Sequence, residues 1–149
     1  MSNELIVNYF EAEVAIVEKL TNAVPEAAKV FTPFSIADMV ESSQPNVCLH
    51  VIYFGDKVQP PEVGQNSKTF VNQQWLVVLA VRHPNAQLQD TQIIRETSGL
   101  IIPKILEALQ GWQPVTWMRP LVRSSSPVVA GYSAAFAYFP FMFEGRIII

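Results

Sequence analysis

Gln74-Trp75-Leu76-Val77-Val78-Leu79-Ala80-Val81-Arg82-His83 is the most continuously apolar and β-branched run in the chain, and a long helical pattern follows it directly. A strand with apolar residues at consecutive positions is buried on both faces, so this stretch predicts the central strand of a sheet with a layer against each side. The rest of the chain is then whatever pairs with this strand or covers it. No residue in the run carries obvious chemistry, so it sets a fold class and leaves function open.

The length of 149 residues suits one domain, spanning 1–149, around one core. Hydrophobic residues make up 50% and charged residues only 15%, against the usual charged share of about 25%. So little charge cannot cover a monomer's surface evenly, which favours burial in an assembly. A net charge of -3 argues against a sequence-specific or phosphate-neutralising nucleic-acid binder. The single cysteine, Cys48, excludes an intrachain disulfide and suits a reducing compartment. Met1-Ser2-Asn3-Glu4 opens no secretory signal pattern, so the expectation is the cytoplasm. Ser124 to Phe143 is free of charge and long enough to cross a membrane. However, Tyr132, Phe136 and Tyr138 alternate there with small residues, and Pro127 and Pro140 would break a helix, so no membrane partner is expected.

In chain order, Ile6, Phe10, Val14, Val17, Leu20 and Val24 recur at helical spacing from Asn3 to Ala23, with Asn3 as cap and Pro25 as stop. Residues 25–45 read as a connector with a short helical turn after Ser35. Asn46 to Phe54 alternates as a strand, with Cys48 and His50 on one face. Gly55 to Lys68 is a long polar loop, read either as the arm of a hairpin reaching a neighbouring subunit or as a plain loop. A second helix runs from Asp90 to Gly111 with Ile93, Ile94, Thr97, Leu100, Ile101, Leu106 and Leu109 as its face, and Pro103 should kink or divide it. Val115 to Arg123 reads as an edge strand because of Pro120. The last strand, Val128 to Glu144, changes the parity of its bulky residues, which predicts a bulge or bend near Phe139-Pro140.

The residues with reactive side chains form no catalytic or metal pattern. Cys48 and His50 stand two apart on a strand, about 7 Å from each other, too far for a nucleophile and its base. His83 beside Pro84 reads as a turn residue. Glu11, Glu13 and Glu18 read as a solvated helical face, and Trp117, Arg119 and Arg123 make a poor nucleic-acid patch in an acidic chain. No cofactor, metal or catalytic residue is expected.

The layout is nevertheless suggestive: an N-terminal helix, a strand ending in Tyr53-Phe54-Gly55, a loop, the strand Trp75 to Val81, and a helix ending in Ile105-Leu106-Glu107-Ala108-Leu109-Gln110-Gly111-Trp112-Gln113-Pro114. A strand from Gly131-Tyr132 to Phe143-Glu144 completes it. Over roughly residues 5–144 this resembles the tail terminator, or tail-completion, proteins of tailed bacteriophages and prophages, in particular the Mu-like gp37 type. The resemblance implies an α/β (α+β) fold, with an antiparallel or mixed β-sheet of about four strands and two main helices packed on one face. It also implies a structural virion protein: a homohexameric ring that caps the tail tube, ends tube polymerisation and offers the surface to which the head attaches. The partners implied are other copies of the chain, the tail tube protein and a head-completion or connector protein. Candidate intersubunit or tube-contact residues are Asp56, Lys57, Glu62, Lys68, Arg82, His83, Arg119 and Arg123. A head-to-tail connector protein is the near alternative. A small enzyme or ligand-binding domain using Cys48, His50 and His83 is the distant one.

Overall fold

Three segments rich in β-branched and aromatic residues become three long strands. The computed structural model describes residues 5–60, 68–86, 90–133 and 135–149. Numbered in chain order, the strands are β1 (Val30–Phe31), β2 (Val47–Val58), β3 (Phe70–Val81), β4 (Val122–Ser124), β5 (Gly131–Ser133) and β6 (Phe136–Ile148). They form one sheet in the order β1-β2-β3-β6-β4, with β5 pairing another part of β6. β1 runs parallel to β2, and every other pairing is antiparallel. The quoted stretch is thus the centre of a mixed sheet in an α+β fold, as expected, but six strands replace about four.

The central strand is buried on both sides, and alternation assigns its faces. Val71, Trp75, Val77, Leu79 and Val81 join one apolar cluster with residues of both helices, α1 (Glu11–Ala23) and α2 (Gln92–Leu109). Leu76 and Val78 point the other way, where Ile36, Met39 and Val128 cover them together with Ile52 and Met142. That second layer is thin, built from two short 3₁₀ turns, Ile36–Asp38 and Glu41–Ser43, and the segment before β5. The connector thus holds the helical turns expected of it, plus the unforeseen β1.

Several expectations need correction. Helix α1 begins at Glu11, not Asn3, which lies outside the described residues. Local bonds hold the chain ahead of it out of the helix: Asn8 Oδ1 accepts from the Phe10 amide at 3.0 Å, and Gln73 Nε2 donates to the Tyr9 carbonyl at 2.9 Å. Its buried face is Ala12, Ile16, Leu20 and Val24, so Val14, 69% exposed, and Phe10 lie off it. In α2 the buried set includes Ile94, Ser98, Ile101 and Ile105, while Leu100 is exposed. Pro103 does not divide α2, which runs as one helix. The carbonyl that its ring crowds belongs to Gly99, beside open space. Gly111 takes φ 79° and ends the helix as expected.

The strands differ too. β2 continues to Val58, so part of the expected loop is a paired arm. It passes through a bulge at Phe54, where Tyr53 pairs Trp75 and Gly55 pairs Gln74. Gly55 takes φ 134° there, open to glycine alone. Val115 to Leu121 is irregular and buries Trp117, Met118 and Leu121 against the helix-side cluster, leaving only β4 as strand. Val128 to Glu144 is not one strand but the β5-β6 hairpin, turned with Ala135 at φ 69°.

No bulge occurs at Phe139-Pro140. The register runs from Val81↔Ala137 to Phe70↔Ile148 without a shift. The parity change reflects a strand buried on both faces: Tyr138 and Met142 point to the thin layer, Phe139, Phe141 and Phe143 to the helices. Tyr132, paired with Ala137, belongs to the helix side and not with Tyr138. Pro140 itself pairs Val78, and on its other side neither β4, whose Ser124 pairs Met142, nor β5, whose Gly131 pairs Tyr138, reaches it. A residue without an N–H fits such a gap.

Candidate assembly surfaces

The long strands all end at two opposite rims, and the candidate contact residues divide between these and one sheet edge. At the arm rim, Lys57 is exposed near the end of β2 and Lys68 just before β3. Glu62 lies outside the described residues. Arg82 and His83 follow β3 at the opposite rim, where the Arg82 amide donates to the Asn46 carbonyl at 2.7 Å. Arg119 and Arg123 belong to neither rim's loop: Arg119 precedes β4 and Arg123 lies in it, at the end of the sheet.

Asp56, exposed at the same rim, is bonded within the chain. Its Oδ2 accepts from the Tyr9 hydroxyl at 2.6 Å and its Oδ1 from the Tyr53 hydroxyl at 2.7 Å. Both phenols are pushed up, first by burial and then by these bonds to the carboxylate, Tyr53 to about 12. Asp56 therefore ties the segment before α1 to the arm. Phe10 completes the cluster, meeting the Tyr53 ring edge-on at 5.0 Å.

The buried pair on β2 is closer than strand geometry alone suggests. Cys48 Sγ lies 3.8 Å from His50 Nε2, a correction to the separation expected between them. The same nitrogen is 2.6 Å from Gln44 Oε1, so it carries the proton, and Gln44 Nε2 donates to the Tyr138 hydroxyl at 3.1 Å. Phe31 stacks on the imidazole at 5.2 Å. Burial pushes the thiol up to about 11 and the imidazole down to about 4. A neutral thiol beside a neutral imidazole is a poor nucleophile, so this is a packed polar cluster under the connector. His83 does not line the recess beside His50. Its Nδ1 accepts from the Asn85 amide at 3.1 Å, a turn contact. No group of three or more metal-ligating side chains occurs among the described residues. No described helix is long and apolar enough to cross a membrane.

The buried imidazole makes stability depend on pH in a defined direction. Below pH 6.5 the unfolded chain takes up a proton that folded His50 refuses until about pH 4, so stability present above 6.5 is lost as pH falls through that window. Urea denaturation across this range should give a steeper acid decline for the wild type than for His50→Phe, which cannot titrate. Equal slopes would place the acid sensitivity elsewhere.

Two features of the surface were not foreseen from the sequence. One is a polar recess of about 450 Å³ at the β4 edge, lined by Arg119, Arg146 and Glu144 among others. Glu144 accepts there from Asn72 at 3.1 Å and Gln74 at 3.3 Å. The other is an aromatic pocket of about 300 Å³ lined by Phe10, Glu13, Phe34 and Tyr53 at the β1 end. Only distant pairing brings those residues together, so no local pattern could mark it. Phe34, 90% exposed, was the available hint.

Among curated proteins none matches the chain. The family model described as "Phage tail terminator protein" matches residues 6–149. A match over nearly the whole chain, on a mixed sheet with both helices on one face, settles the family, and with it a structural role in completing the virion tail: the chain belongs to the phage tail terminator proteins.

Proposed function

We propose that copies of this chain close into a ring, a homohexamer, that caps the tail tube, stops its polymerisation and offers the surface to which the head attaches. Assembly takes place in the cytoplasm of the bacterial host. The observation that carries this reading is the layout of the sheet. Its two ends, β1 and β4, open sideways, while its long strands end at two opposed rims. Head-to-tail contact through unlike edges builds a ring when rotation closes it. The rims are then free to face the tube on one side and a head-completion or connector protein on the other. Lys57 and Lys68 serve one rim, Arg82 and His83 the other. Large apolar side chains left in solvent, among them Leu5, Val7, Phe34 and Val129, support burial in an assembly.

The mechanism is geometric. One rim matches the last tube ring, and the other recruits no further tube subunit. Electron microscopy of particles made without the protein tests it: tails of uncontrolled length lacking heads are expected, and normal-length tails carrying heads would refute the assignment. Pull-down of the purified chain should capture the tube protein, with the head-completion protein held through the opposite rim.

A further inference from the structure

The two ends of the sheet carry unmatched charges of opposite sign, on one face and at one height. Arg123 in β4 pairs Phe143, Phe143 pairs Trp75, and Trp75 pairs Tyr53. Arg123 and Tyr53 thus stand on the same cross-strand line, and the pairing places both on the face that carries the helices. Arg123 is exposed and rests over the Phe141 ring at 5.3 Å, and it makes no ion pair among the described residues. At the far end, Tyr53 lines the aromatic pocket together with Glu13, Phe10 and Phe34. The Glu13 carboxylate has no hydrogen-bond or ion-pair partner among the described residues, and burial alone raises its pKa.

We propose that Arg123 of one copy enters the Phe10–Phe34–Tyr53 pocket of the next copy and pairs with Glu13 there. This rests on the ring reading and names the contact that would build it. A guanidinium suits such a site, because it stacks on aromatic faces while its planar fork reaches a carboxylate. The directions of the strands fit as well. β1 runs with β2 and β4 runs with β3, so the two edges are antiparallel within one copy. Copies related by rotation about an axis along the strands meet β4 against β1 in antiparallel sense. The contact is head-to-tail, since the arginine and its pocket lie on opposite ends of the same chain.

Sedimentation velocity of the full chain over a concentration series tests the contact. Arg123→Glu and Glu13→Lys should each raise the concentration for half-assembly at least tenfold, and the double swap should recover it to within about threefold of wild type. Arg123→Lys should weaken assembly less than the reversal but measurably. Thermal melts of each variant check folding, and Arg123→Gln replaces the reversal if that variant fails to fold. If wild type assembles and the single reversals do not affect it, or the double swap is weaker than either, the contact is wrong while the ring stands. A wild type that remains monomeric at every concentration, alone and with purified tube protein, overturns the ring and this contact with it.

Discussion

Trp75→Ala is expected to lower folding stability by about 3–5 kcal/mol, the range for deleting a buried large aromatic side chain. The indole is fully buried at the centre of the helix-side cluster, 5.5 Å from the Tyr53 ring and paired across the sheet with Phe143. Its Nε1 donates to Gln73 Oε1 at 2.9 Å, and Gln73 is itself buried. Alanine would leave a cavity and an acceptor without its donor, and both costs add. Through Gln73 the damage reaches the Tyr9 carbonyl and so the segment before α1. Urea denaturation followed by circular dichroism measures the loss. Trp75→Phe should recover part of the packing without the donor. A loss below about 1 kcal/mol for the alanine variant would show that the core refills the space.

Gly145→Val should cost about 1–3 kcal/mol, the range for overpacking a well-packed site. A Cβ built at Gly145 would collide with Met118 Sδ and come within 2.7 Å of its Cγ, closer than atoms can approach. Met118 is fully buried, and the Arg119 amide beside it donates to the Arg146 carbonyl at 2.9 Å, so the segment cannot simply lift away. The cost falls on the packing of the irregular segment against β6. Combining Gly145→Val with Met118→Ala separates the clash from any other cause: the double variant should lose clearly less than the sum of the singles. Additive losses would mean that the glycine is needed for another reason.

What the sequence revealed follows the strength of local pattern. The run from Trp75 to Val81 announced a doubly buried strand because seven consecutive buried residues leave little alternative. Helix α2 and its stop at Gly111 were legible because capping chemistry is local. Where a distant residue decides, local pattern misleads. Helix α1 starts late because Gln73 and Asp56 hold the chain at Tyr9. The β5-β6 hairpin was hidden because a charge-free aromatic run reads equally well as one long strand. The assumption that β6 has a single apolar face turned a regular strand into an expected bulge, while the actual bulge, at Phe54, lay where alternation looked regular. Charge and loop position are what mark the candidate contacts in the sequence. Neither could indicate that Asp56 is occupied by two tyrosines or that Glu13, set aside as part of a solvated face, lines a pocket opposite Arg123 in register.

The gap opposite Pro140 limits what the outer edge can accept. A sheet with a long, even edge is a template on which strands from any chain can add in several registers, and such edges drive aggregation. Here the edge is split into two three-residue pieces, β4 and β5, separated by a gap opposite Phe139, Pro140 and Phe141, whose middle residue has no amide hydrogen to offer. A visiting strand therefore finds only a short foothold, and sliding it by two residues forfeits most of that pairing. Growth beyond the intended neighbour is discouraged by the same proline that a regular central strand would not tolerate, so a sheet that must join copies into a closed assembly is poorly suited to joining them into an endless one.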